Sequence, residues 1–339
     1  MKVAILSPVT WRTPPRKYGP WEQVVSVLTE SLVNSGIDVT LFATGDSITR
    51  SKLQSVCSHP IGEFPADAKV SECLHISHVM EQAATYDIIH NHFDFLPLTY
   101  SRLINTPVIT TIHGFSSEDI VPVYKKYNGH SYYVSISNSN RHRDLDYLDT
   151  VYNGIDEALY SYGSGMGDYL LYFGRIHPDK GTAEAIQIAR QAGKKLIMCG
   201  LVQDQSYYDK EIMPHVDGHN IQYLGNVGPE KRNALMGDAL ALLHPISFEE
   251  PFGLSVVESM MCGTPVIAFD RGSMKELIVE NKTGFLVRNC QDAAEAVHSV
   301  QHIDRRICRQ HAIDLYSSRV MAGHYLRLYE KVARRRGSL

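Results

Sequence analysis

The chain has 339 residues, 44% of them hydrophobic, more than a single core usually accommodates, which predicts two domains with a cleft between them. Its 33 Lys and Arg against 37 Asp and Glu leave a formal charge of −4, so no basic field recruits nucleic acid and no polyanionic partner is expected. The six cysteines are scattered, with no C-x-x-C pair, which argues against a zinc site and a secreted disulfide framework and for the reducing cytoplasm.

MKVAILSP has one Lys and a short apolar run before Pro8 and Arg12, which is not the pattern of a signal peptide. No stretch reaches the roughly 18 to 20 apolar residues of a membrane span. KVAILSPV reads as a first buried strand, WEQVVSVLTESLVNSG as an amphipathic helix ended by Gly36, and DVTLFATG as a second strand, together a β-α-β unit. Strand-length apolar runs recur at YDIIHNHF, PVITTIHG and YYVSIS, which predicts a doubly wound parallel sheet. In YDIIHNHF, His90 and His92 share a strand face and are expected to line the cleft, because no third residue follows at a metal-binding spacing.

YNGIDEALYSYGSGMGD (152–168) is rich in Gly, Tyr and Ser; it reads as the linker and puts the boundary near 160. Its GSGMGD imitates a dinucleotide-binding glycine pattern, but it precedes a strand where that pattern would join a strand to a helix. A second series follows in 161–315: DYLLYFGRI as strand, TAEAIQIARQAG as helix, then KKLIMCG, NIQYLGNV, ALALLHP and TPVIAF. From about 313 to 332, Val320, Tyr325, Leu328 and Val332 keep helical spacing, and a helix over 316–335 is expected either to close the second domain or to cross back to the first. The closing KVARRRGSL carries a basic cluster, read as a solvated tail, with weak contact to anionic lipid as the alternative.

Chemistry concentrates in two loops of the second series. In EEPFGLSVVESMM the helix after Gly253 presents free N–H groups at a strand's C-terminal end, where a phosphate would sit. Glu258, one turn inside, suits the hydroxyls of a ribose, and Glu250 could meet hydroxyls beyond the phosphates. Read alone, the two acids are equally well a dipole-favouring residue and a solvated helix residue. FGRIHPDKG shifts that balance, since Arg175 and Lys180 follow another strand and suit a diphosphate.

FGRIHPDKG, the E-x7-E of EPFGLSVVE, the following SMMCGTPVIA and NGID at 153–156 together resemble the family 4 retaining glycosyltransferases. The resemblance implies an α/β GT-B fold, two Rossmann-like doubly wound parallel-sheet domains facing across a cleft. Residues 1–160 would form the acceptor side, to which helix 316–335 is added if it crosses back, and 161–315 would bind a nucleotide-sugar donor. It implies transfer of a hexosyl group from a UDP- or GDP-sugar to a glycan, glycolipid or small-molecule hydroxyl, with polysaccharide or glycolipid assembly as the default setting, cytoplasmic or peripheral at the inner membrane face. A nucleotide-sugar epimerase or hydrolase on the same fold, or a non-catalytic nucleotide-sugar sensor, is the alternative.

Residue by residue, the resemblance assigns Arg175 and Lys180 to the diphosphate, Glu258 to the ribose, Glu250 to the transferred sugar, and the backbone of Phe252, Gly253 and Leu254 to support. Val227 would lie near the base and His113 would face the sugar at the reacting centre. Gly19 stands in the family's glycine-rich turn, but Pro20 replaces a second glycine and removes an N–H donor. Trp11 and Arg12, with His92 and Asp94, are weak acceptor candidates. Asp144-Leu-Asp146 imitates the D-x-D of metal-dependent transferases, yet sits in the charged run RHRDLDYLD, read as a solvated helical face; no metal and no cofactor are expected.

Overall fold

The computed structural model describes residues 1–115 and 117–335. It divides into two units, Met1–Gly154 with Ser318–Leu339, and Ile155–Ser317. Unit 1 runs β1 (Lys2–Leu6), α1 (Pro20–Asn34), β2 (Asp38–Phe42), β3 (Lys52–Gln54), α2 (Ala68–Glu81), β4 (Ile88–Asn91), β5 (Val108–Ile112), α3 (Val121–Tyr127), β6 (Tyr132–Ser135) and β7 (Tyr147–Thr150). These seven strands form one parallel sheet ordered β3-β2-β1-β4-β5-β6-β7. Every residue of β4 and β5 is buried, as expected of central parallel strands covered on both faces.

Unit 2 runs β8 (Tyr169–Phe173), α4 (Thr182–Gln191), β9 (Lys195–Cys199), the short turn α5 (Gln205–Tyr207), β10 (Ile221–Tyr223), α6 (Pro229–Asp238), β11 (Ala241–His244), α7 (Leu254–Met261), β12 (Val266–Phe269), α8 (Met274–Leu277), β13 (Gly284–Val287), α9 (Cys290–Val297) and α10 (Arg305–Tyr316). Its six-stranded parallel sheet is ordered β10-β9-β8-β11-β12-β13. The chain then returns to unit 1 in α11 (Ser318–Arg335), whose Met321, Tyr325, Leu328, Tyr329 and Val332 form a buried stripe at helical spacing.

Three local expectations are corrected. The helical periodicity from 313 to 332 belongs to two helices, broken at Ser317, whose backbone is extended at φ −71° and ψ 154°. Residues 155–168 are not a free linker but part of unit 2. A Cβ on Gly163 would lie 2.0 Å from the Gly237 carbonyl oxygen, and the Gly163 N–H donates to Cys262 O at 3.0 Å; the glycines there serve close backbone packing. The run around Asp144 is turn and strand, not helix, because Tyr147–Thr150 pairs with β6. Of the basic C-terminal cluster, 336–339 lie outside the described residues.

Candidate functional site

In unit 2 the strand order reverses direction between β8 and β11, and connections leaving to opposite sides open a crevice beyond the C-terminal ends of these two strands. The loops at that point are 174–181 and 245–253. Gly181 lets them touch: its φ is +72°, and a Cβ there would stand 1.9 Å from the Pro245 carbonyl oxygen. The Ser247 N–H donates to Asp179 O at 2.9 Å.

This contact carries Lys180 to Glu250, Nζ to Oε2 at 2.5 Å, with the side chains only 15% and 13% exposed. Phe248 lies under the ammonium, 4.5 Å from it to the ring centroid. His244, at the end of β11, is buried, and its Nε2 is 3.7 Å from the same Glu250 oxygen. Burial pushes the His244 pKa down to about 4; the Glu250 charge opposes this and that of Lys180 adds to it, so near neutral pH the imidazole is uncharged. The Glu250 loop is braced from behind, since Ser273 donates its N–H to Glu250 O at 3.0 Å and its hydroxyl to Phe252 O at 2.6 Å. Phe252 is buried, Gly253 takes a left-handed φ of +93°, and α7 starts at Leu254. The first N–H groups of such a helix have no partner within it.

Arg175, expected beside Lys180, instead donates to the side chain of Gln203. Glu258, read as either a ribose contact or a solvated helix residue, is 4% exposed and so is not solvated. Its Oε1 accepts the Tyr160 hydroxyl at 2.6 Å and meets Arg232 Nη1 at 3.3 Å. Arg232 projects from α6 between two rings, 5.7 Å from Phe173 and 5.8 Å from Tyr160. Burial, the largest single influence, works against its charge, but Glu258, Tyr160 and Cys262 together outweigh it and hold the guanidinium pKa above its usual value. Val227 is buried in the connection between β10 and α6.

Unit 1 also reverses, between β1 and β4. The β1 loop folds back over the start of α1, where Gly19 at φ +152° leaves room that a Cβ, 2.8 Å from Pro15 Cβ and 3.1 Å from Trp11 Cβ, would fill. Glu22, inside α1, accepts the Trp11 N–H at 3.1 Å; burial raises its pKa to about 7 against its backbone hydrogen bonds. Arg12 donates from Nε to Pro14 O at 2.9 Å.

Past β4 and β5 lies a stack of imidazoles. His92 Nδ1 and His113 Nε2 share a hydrogen bond of 2.9 Å, and Trp21 stacks on His113 at 5.3 Å. The ring of His90 lies 4.1 Å from that of His92, and its nitrogens bond Tyr329 at 2.6 Å and Thr111 at 2.8 Å. His90 and His92 are therefore fully buried, not lining a cleft. Burial depresses all three pKa values, to about 3 for His90 and His113 and well below the usual value for His92. Asp94 takes a left-handed φ of 73° and is engaged by the Tyr124 hydroxyl at 2.5 Å; burial raises its pKa to about 6 against that bond.

Thus the structure joins Lys180 to Glu250 and His92 to His113, while Arg175, Glu258 and Asp94 have partners the sequence did not suggest. Arg232, Tyr160, His244 and Gln203 were missed. Arg232 had a signal: it precedes the buried Met236 by one helical turn, which puts a cation on the inward face of α6. Among the described residues no group of His, Cys, Asp and Glu could hold a metal ion, and no helix is long and apolar enough to cross a membrane.

Residues 162–312 match the family model of the glycosyl transferases group 1. An uncharacterized glycosyltransferase of Methanocaldococcus jannaschii is 23% identical over 85% of each chain. Among solved structures, sucrose-phosphate synthase of Thermosynechococcus elongatus superposes with a TM-score of 0.81 at 17% identity, covering 98% of this chain and 99% of that one. The HepE protein of Anabaena, solved in complex with UDP-glucose, gives 0.73 at 18% identity over 98% and 100%. At these identities the structural likeness establishes a shared GT-B fold.

Proposed function

We infer, from the match of residues 162–312 to the group 1 glycosyl transferases, that this chain is a glycosyltransferase that moves a hexosyl group from a UDP- or GDP-sugar to a hydroxyl of a glycan, glycolipid or small molecule, with retention at the anomeric carbon. The observation that carries this reading is the meeting of Lys180 and Glu250 at 2.5 Å between the β8 and β11 loops. A cation and an acid held together with little water are ready to exchange partners. The donor diphosphate takes Lys180, and the freed carboxylate takes hydroxyls of the sugar. Arg175 leaves Gln203 for the same diphosphate. The N–H groups around Phe252, Gly253 and Leu254 support the phosphates, Glu258 takes the ribose and Val227 flanks the base.

The C–O bond to the phosphate breaks through an oxocarbenium-like state, and the acceptor oxygen bonds the carbon on the face just vacated. The departing phosphate oxygen takes the acceptor's proton. Charge grows on the leaving group during this step, so Lys180 and Arg175 bind the transition state more tightly than the ground state. This scheme uses no side-chain nucleophile and no metal ion. In unit 1 the reading assigns neutral His113 to the reacting sugar, Gly19 to the diphosphate, and Trp11, Arg12 and Asp94 to the acceptor, while buried His92 acts only by holding His113. A cytoplasmic location accords with it.

UDP-glucose in the Anabaena protein makes UDP-sugars the first donors to try. Thermal-shift titration with UDP-glucose, UDP-galactose, UDP-N-acetylglucosamine and GDP-mannose should show one donor raising Tm with concentration, and the effect should vanish in Lys180→Ala. No response to any of the four, or equal responses in both proteins, would sink the reading. Sugar release without acceptor would instead indicate a hydrolase or epimerase, and binding without turnover a sensor.

A further inference from the structure

Glu258 is held from two sides by groups that have no part in the donor scheme above. Tyr160 gives its hydroxyl to Oε1 at 2.6 Å, and Arg232 sets Nη1 3.3 Å from the same oxygen. Both contacts fall on one carboxylate oxygen, which leaves the lone pairs of Oε2 outside this clamp. A free glutamate side chain samples several rotamers, and ordering it on a ligand costs entropy. A glutamate already fixed by a hydrogen bond and an ion pair avoids that cost when the ligand arrives.

Stability alone does not explain the arrangement. Arg232 is tightly packed, and its Nε is buried with no hydrogen-bond partner, a destabilising state for an N–H group. Hydrophobic residues of similar size in place of both Arg232 and Glu258 would pack without that penalty, and such replacement of a whole buried ion pair is often neutral or stabilising. A cation retained with one donor unsatisfied has a purpose beyond folding, and the group it faces is the carboxylate of Glu258.

We propose that Arg232 and Tyr160 are positioning residues that pin Oε1 of Glu258 and so aim Oε2 at a vicinal diol, making this triad the element that distinguishes a ribonucleotide from its sugar-modified analogues. The proposal rests on the donor reading of unit 2 and names the chemistry selected there, the ribose diol. Arg232 supplies the charge that keeps a buried carboxylate tolerable, and Tyr160 supplies direction, because a hydroxyl donor has one proton and one preferred line of approach.

The test is calorimetric titration of wild-type protein, Tyr160→Phe, Arg232→Leu and Arg232→Lys with UDP and with 2′,3′-dideoxy-UDP, repeated with GDP and its dideoxy analogue if the uridine pair does not bind. Wild type should prefer the diol by roughly tenfold, the scale of a charge-assisted hydrogen-bonding pair. Tyr160→Phe should lower that preference about 3- to 10-fold while leaving affinity for the dideoxy probe unchanged. Arg232→Leu should abolish the preference, and Arg232→Lys should restore part of it. A merely structural role would lower affinity for both probes in parallel and leave their ratio intact, and that result overturns the proposal. If a variant unfolds, Tyr160→Phe, which removes a single oxygen, remains the deciding case. Failure of wild type to bind any of the four nucleotides would overturn the donor reading itself, whereas binding with no preference for the diol would overturn only the role of this triad.

Discussion

The two sheets share the order 3-2-1-4-5-6 around their reversal points, yet they place opposite chemistry there. In unit 2 the loops after β8 and β11 and the helices beside them hold ions: Lys180 on Glu250, and Arg232 on Glu258. In unit 1, β4 and the ends of β4 and β5 hold neutral imidazoles: His92 and His113 bond each other, and His90, packed on His92, bonds hydroxyls. The topology supplies a crevice in each case and says nothing about its contents. Paired ions that can be traded suit the charged diphosphate proposed for unit 2, whereas the buried neutral stack takes its hydrogen bonds from within unit 1.

The charged end is the more sensitive to single changes. Lys180→Ala removes the cation assigned to the leaving group and strands Glu250 in a nearly closed loop, so kcat/KM for sugar transfer is expected to drop by about 100-fold or more, the scale of losing one preorganised electrostatic donor. Steady-state kinetics check it, with a circular dichroism spectrum to show the fold intact. Glu250→Gln sharpens the same point. It frees Lys180 from its partner, so UDP without a sugar should bind several-fold more tightly even as transfer falls; weaker UDP binding would argue against the exchange.

The neutral end should reveal itself through pH. In the folded state His75, His90 and His113 have pKa values of about 4, 3 and 3, depressed from 6.5 by burial, and His92 is depressed as well. Below pH 6.5 the unfolded chain binds protons that the fold refuses, so acid erodes stability by up to ~1.4 kcal/mol per pH unit for each histidine. Glu22 and Asp94 act in the other direction. Burial lifts their pKa values from 4.5 and 3.8 to about 7 and 6, so between those limits the fold keeps protons that the unfolded chain releases. The melting temperature should therefore fall gently from pH 6.5 to about 4.5 and steeply below that. Glu22→Gln should steepen the upper part; a flat profile across the whole range would contradict the neutral stack.

Gly181 is where the charged end depends on backbone geometry. With φ at +72° and a virtual Cβ 1.9 Å from the Pro245 carbonyl oxygen, Gly181→Ala must shift backbone, and we expect a loss of about 1 to 3 kcal/mol in chemical denaturation. Donor affinity should fall too, because the shift separates Lys180 from Glu250. A variant as stable as wild type with unchanged donor affinity would mean that the two loops are not held by this contact.

The central strands were legible because parallel strands covered on both faces must be continuous apolar runs, as in YDIIHNHF and PVITTIHG. The strands left unread are β3, β7 and β13, all at sheet edges, where three or four residues leave little pattern. Among site residues, Lys180 and Glu250 could be brought to one sheet edge from sequence, though not as an ion pair, because each follows a buried strand that the apolar runs locate. Arg232 and Tyr160 could not, since their meeting with Glu258 depends on the packing of α6 and of residues 155–168 against α7, and no local spacing encodes it. The glycines of 163–167 misled for the same reason: flexibility and close packing call for the same residue.

The smallest effect is expected where the comparison predicts nothing. Asp144-Leu-Asp146 has the form of a metal-binding pair, but its carboxylates are already engaged at the edge of unit 1, away from that unit's reversal point in the strand order: Asp144 by Lys125 at 2.5 Å and Asp146 by Asn128 at 3.0 Å. Asp144 is a surface group whose pKa is lowered by its hydrogen bond to Lys125, although desolvation opposes it, and exposed ion pairs contribute little to folding. The double substitution of Asp144 and Asp146 by Asn should leave transfer within about twofold of wild type, as surface changes away from a site usually do, and a chelator should have no effect on either protein. Loss of activity on chelation in wild type but not in the double variant would make this pair a metal site, and would move the charge-stabilising role from Lys180 and Arg175 to a cation.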